Sequence, residues 1–167
     1  WAFFLSEKFR FSVLSIGLSI GLLGIFYALA QFYLTGRLVL RFGEGVTAIL
    51  GIVAYALSLL GLAIVSEPWM LFALMIPLAL EGLADTSLTS MASQRVGNER
   101  QGELQGRIAS ALNLGWVAGA VLMTKTYSYF SQSGSGQFRG AALLLASAIA
   151  LGACLILFAT LRKGRAE

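Results

Sequence analysis

Glu81 and Asp85 stand four residues apart in PWMLFALMIPLALEGLADTSLTSMAS, a stretch that otherwise reads as a membrane span. In a helix this spacing sets both carboxylates on one face, about 6 Å apart along the axis. A carboxylate at bilayer depth costs roughly 2.5–3.5 kcal/mol on insertion scales, so two of them imply a proton, a cation or a polar cavity. Two charges held this close and away from water are poorly tolerated together, which suits reversible protonation. The structural alternative is an ion pair with an Arg or polar group elsewhere in the protein. Pro77 lies one turn before Glu81 and removes a backbone donor, so it predicts a kink beside the acids.

Further candidates surround the pair in sequence. Tyr27 and Gln31 are one helical turn apart in the first full apolar run, and Tyr55 lies in the second. Rings and amides at mid-depth can line a substrate cavity, although a lone Tyr serves packing equally well. Asn113 and Trp116 are weaker candidates of the same kind, since Asn113 could simply bond a neighbouring helix. Nothing forms a nucleophile–base or metal constellation, so no enzyme, metal site or cofactor is expected. The chain has no His, Cys154 has no partner, and neither GxxxxGK[ST] nor GxGxxG occurs.

The elements that must position these residues follow from hydropathy. Of the 167 residues, 57% are hydrophobic and only 12% charged, with a mean hydropathy of +0.80. Soluble domains carry about 25% charged residues, so lipid is the expected solvent. Five spans are expected, at roughly 11–36, 45–66, 68–94, 108–130 and 138–161, giving an all-α polytopic membrane protein in one unit, 1–167. Strict alternation of the transmembrane β kind is absent. Between the spans, SQSGSGQ at 131–137 reads as a polar hairpin and Arg95–Arg107 as a loop able to form a short interfacial helix.

Charge sets the expected orientation. One side gathers Arg37, Arg41, Arg95, Arg100, Arg107, Arg162, Lys163 and Arg165, and the other only Lys8, Arg10, Lys125 and Arg139. The positive-inside rule puts the C-terminus in the cytoplasm and Trp1 outside. The net charge of +4 then reflects loop placement, and no nucleic-acid partner is expected. An odd number of spans and the apolar start WAFFL lead us to expect one half of a larger protein. Gly17, Gly21, Gly24, Gly115 and Gly119 recur at helix-packing spacing and are expected to seat neighbouring helices.

Two loops carry a family resemblance. Gly36, Leu38, Arg41 and Gly43 fall in GRLVLRFG, which resembles the G-x-L-x-D-R-x-G loop of major facilitator superfamily transporters, with Leu40 at the Asp position. Glu99–Gly106, ERQGELQG, resembles the loop between helices ten and eleven of the tetracycline-efflux branch. The resemblance implies the C-terminal six-helix half of a twelve-helix fold, from the end of helix seven to helix twelve, in a bacterial inner membrane. Implied partners are the N-terminal half, protons, a small-molecule substrate and the bilayer, and the implied activity is proton-coupled efflux of a small lipophilic or cationic compound. Uptake of a polar nutrient and a non-transporting scaffold remain open. Gly36 and Gly43 are expected to make a tight turn, and Arg41 to bond carbonyls at a helix end. Glu99, Arg100, Gly102, Gly106 and Arg107 are gating-loop candidates, in which Arg100 and Arg107 either pair with Glu99, Glu103 or acids on the other half, latching one state, or simply anchor the inner face. The family's coupling His and Asp fall on Tyr27 and Tyr55, and its helix-eleven Pro falls on Ala120. Coupling is therefore left to Glu81 and Asp85.

Overall fold

The computed structural model describes residues 2–132 and 140–163. Trp1, Arg139, Arg165 and most of the polar segment at 131–137 lie outside the described residues. Helices account for the architecture: α1 (Ala2–Phe9), α2 (Val13–Ala30), α3 (Gly36–Phe42), α4 (Glu44–Ile64), α5 (Pro68–Leu78), α6 (Glu81–Ser93), α7 (Gln101–Gln132) and α8 (Ala141–Lys163). Five helical rods among the described residues are long and apolar enough to cross a membrane: Val13–Phe42, Glu44–Ile64, Pro68–Ser93, Asn98–Phe130 and Ala141–Lys163.

The connections differ from the loops read in the sequence. Between α2 and α3 the chain never leaves the helix; Gln31–Thr35 winds as a π segment, and Gly36 is ordinary α-helix at φ −59° and ψ −43°. The whole turn into α4 falls on Gly43, at φ +80° and ψ 164°. Gly36 therefore extends the span and does not bend it. The expected loop at Arg95–Arg107 is likewise mostly helix. A 3-10 turn at Asn98–Arg100 leads directly into α7, so Gly102 and Gly106 lie within its first turns.

Antiparallel packing on α4 organises the bundle. Against α8, Gly45 meets Leu161, the buried Ser147 hydroxyl donates to the Ala56 carbonyl at 2.9 Å, and Gly140 abuts Ala63. Against α5 and α6, Gly61 meets Leu74 and Gly51 meets the backbone of Leu80 and Ala84. Glu44, at the start of α4, accepts hydrogen bonds from Ser90 and Gln94 at the end of α6. Small residues thus bring these axes close where lipid gives helices no hydrophobic drive to associate. At the opposite end, Phe4 and Leu5 of α1 pack into an apolar cluster with Leu59, Leu62, Leu71 and Met75. None of the glycine spacings singled out in the sequence takes part. A Cβ on Gly17, Gly21, Gly24, Gly115 or Gly119 would meet nothing within 4 Å among the described residues.

Candidate functional site

The third spanning rod breaks where Pro77 predicts. Pro77 lies inside α5, where its missing N–H leaves the Ala73 carbonyl without its helical donor; α5 ends one residue later at Leu78, and the chain tightens through Ala79 and Leu80 before α6 begins at Glu81. The bonds across the break are of the short i to i−3 kind, from Leu80 N–H to the Pro77 carbonyl at 3.2 Å and from Leu83 N–H to the Leu80 carbonyl at 3.0 Å. Glu81 accordingly heads a half-helix and meets the positive end of its dipole within a span. Such discontinuous helices line polar sites in membrane transporters.

The first span supplies the facing groups. Gly82, next to Glu81, has no side chain, and a Cβ there would come within 2.7 Å of the Gln31 amide nitrogen and 2.8 Å of the Tyr27 ring. Gln31 uses this space to donate to the Gly82 carbonyl at 3.0 Å. That carbonyl also accepts from Thr86 at 2.6 Å. Thr35 in turn donates to the Gln31 side-chain oxygen at 3.4 Å. Gln31 opens the π segment, a distortion that tends to occur at functional sites, and its position there fixes the amide on the broken helix.

Tyr27, Tyr55 and Glu81 line a cavity of about 240 Å³ whose remaining wall includes Leu23, Leu59 and Leu143. Drug-sized pockets usually span about 300–1,000 Å³, so the cavity is small and mainly apolar, with three polar tips. Asp85 lies one turn further along the same face, exposed and outside that cavity. Among the described residues neither acid has a hydrogen-bond or ion-pair partner. Asn113 and Trp116 are not brought to this cavity; both are exposed on α7.

The two loop motifs lie elsewhere. Arg41 makes no carbonyl bond in the described structure; its guanidinium lies 5.3 Å from the Phe42 ring centre, and Arg37 instead bonds the Tyr33 carbonyl at 3.3 Å. Leu38 is half-buried on α3. Of the anticipated loop pairs, Arg107 and Glu103 form one at 2.5 Å across one turn of α7, both exposed. Glu99, Arg100, Glu103 and Arg107 border a separate hollow of about 640 Å³ at the start of that helix. Glu44 was not singled out in the sequence, where an acid at a span's first residue reads only as an end marker.

The model of the Major Facilitator Superfamily matches residues 1–167. Curated relatives include the tetracycline resistance protein, class C, of Escherichia coli, 38% identical over 147 residues, which is 87% of this chain and 37% of the relative. The class G protein of Vibrio anguillarum is 33% identical, covering 77% of this chain and 33% of the relative. The class B protein of Escherichia coli is 30% identical, covering 77% of this chain and 32% of the relative. The chain spans about a third of the length of these relatives. No solved structure matches it significantly.

Proposed function

Because the chain belongs to the Major Facilitator Superfamily, we propose that it forms the C-terminal membrane half of a twelve-helix secondary transporter. In this reading the transporter exports a small lipophilic or cationic compound in exchange for protons. The chain is an integral membrane protein. Its setting is a bacterial inner membrane, with the Arg-rich ends of the spans, and the C-terminus, in the cytoplasm. Relatives named for tetracycline resistance support the efflux direction. Tetracycline itself is not assigned, because Tyr27 and Tyr55 stand at the positions that the resemblance gives to the coupling His and Asp.

One observation carries the reading: Glu81 stands at the broken point of a span and lines a cavity with two tyrosines. In the state open to protons Glu81 takes up a proton, and the neutral acid is tolerated in the closed, apolar surroundings during the transition. Release on the other side restores the carboxylate, which attracts a cationic substrate. Asp85, one turn along, tunes the same exchange and offers a second acceptor. Tyr27 and Tyr55 supply ring faces and hydroxyls for orientation. Alternating access then arises from rocking of this half against the other around a midplane site.

The test is flux of ethidium and of tetracycline by the intact transporter in proteoliposomes under an imposed pH gradient. Glu81→Gln should abolish the pH-driven component while preserving substrate counterflow, and Asp85→Asn should weaken it. Undiminished pH-driven flux in both variants would remove the acids from coupling. Accumulation in the opposite direction would replace export with uptake.

A further inference from the structure

Four spans end together near Gly43, and there a groove of about 680 Å³ opens between α4, α6 and α8. Its two chemistries are separated by depth. Arg95 is the second residue past the end of its span and Arg162 is in the final turn of α8, whereas Ile49 and Phe158 lie about 6–8 Å further in along their helices. Phe42 and Phe158 in this wall are exposed at 46% and 55%. The guanidinium of neither Arg95 nor Arg162 has a hydrogen-bond or ion-pair partner among the described residues. Glu44 also borders the groove, but its carboxylate already accepts from Ser90 and Gln94. Two unengaged guanidiniums at the level of the span ends, above an apolar wall at hydrocarbon depth, match the amphiphilic shape of a phospholipid.

We propose that this groove is a binding site for one anionic phospholipid. The headgroup phosphate sits between Arg95 and Arg162, and an acyl chain runs along Phe42, Ile49 and Phe158. Guanidinium suits phosphate through its planar array of donors, and basic clefts between spanning helices recognise anionic headgroups. The apolar wall distinguishes the lipid from a free anion, which would have no use for it. The site lies away from Glu81 and does not depend on the transport reading.

The experiment places a reporter in the wall, Phe158→Trp, with the native tryptophans replaced by phenylalanine, in the intact protein reconstituted into vesicles. Brominated phosphatidylglycerol should quench this Trp with roughly tenfold preference over brominated phosphatidylcholine. Arg95→Gln with Arg162→Gln should bring the two lipids to parity. The same pair changed to Lys should keep most of the preference, which separates lost charge from lost fold. Arg100→Gln with Arg107→Gln, in the other basic cluster, should leave it unchanged. Equal quenching in the unmodified site, or an undiminished preference in the Gln pair, would overturn the proposal. Reversal by added inorganic phosphate would also overturn it, since it would mark a soluble-anion site.

Discussion

Gly43 holds φ +80° and ψ 164°, a region essentially closed to residues with a Cβ, whereas Gly36 is an ordinary helical residue. Gly43→Ala should therefore destabilise the protein by about 1–3 kcal/mol. Gly36→Ala should be neutral or stabilising by about 0.5–1 kcal/mol, because Gly in a helix interior is the poorer choice. Thermal unfolding of the purified protein in detergent reads both. In the sequence these two positions looked equivalent, since both match one motif. Glu81, Tyr27, Gln31 and Tyr55 were legible for a simple reason: a polar group in an apolar run stands out. Gly82 and Glu44 were not, because their parts depend on neighbours from helices about 50 residues away, Gln31 for one and Ser90 and Gln94 for the other. Asn113 and Trp116 have the same polar or amphipathic character as Tyr27 and yet are absent from the cavity, so residue type gives candidacy and packing decides membership.

Helix contacts in this bundle are made by glycines that no sequence spacing marked. A Cβ on Gly51 would fall 2.8 Å from both the Ala84 nitrogen and the Leu80 oxygen, and backbone atoms cannot swing aside. Gly51→Ala should part α4 from α6 at a cost of about 1–3 kcal/mol. Gly17→Ala, with open space around it, should cost nothing measurable. A paired thermal-stability measurement in detergent checks both, and equal effects would contradict the packing described. The small-residue spacing of Gly17, Gly21 and Gly24 was visible, but spacing does not say which face meets a neighbour. A distortion near Pro77 was readable because proline perturbs a helix locally, through its ring and its missing donor. The continuation of α2 into α3 was not, since Arg37 and Arg41 mimic the basic flank of a span while the backbone continues as helix.

Across the molecule, the helices differ in how far the bundle covers them. α4 is covered on several sides, whereas α7 carries no buried residue in its apolar window, and Trp116 is 76% exposed. A helix that is apolar over most of its surface and leaves it open requires another covering in a membrane, either lipid or protein. In the proposed transporter the Asn113 side of α7 borders a water-filled path, while Ile156 on α8 faces acyl chains. Asn113→Cys should then react with a membrane-impermeant maleimide at least about tenfold faster than Ile156→Cys, since thiols react as thiolates and require water. Equal labelling would place both on one kind of surface. The five-rod plan was visible in hydropathy alone, because long uncharged runs have few solutions in lipid. The arrangement of rods around α4 was not, since every rod is apolar enough to occupy the centre.

A π turn takes one residue more than an α turn, so Gln31–Thr35 works as an insertion carried inside a helix. Everything from Gly36 to Phe42 is consequently rotated by about 100° from where the periodicity of α2 would have put it. The span thus holds two registers: the upper one aims Tyr27 and Gln31 at Gly82, and the lower one delivers Phe42 to the groove at the end of the bundle. Deleting a single residue within the segment would rewind the rod into one register, and only one of the two addresses could then be kept.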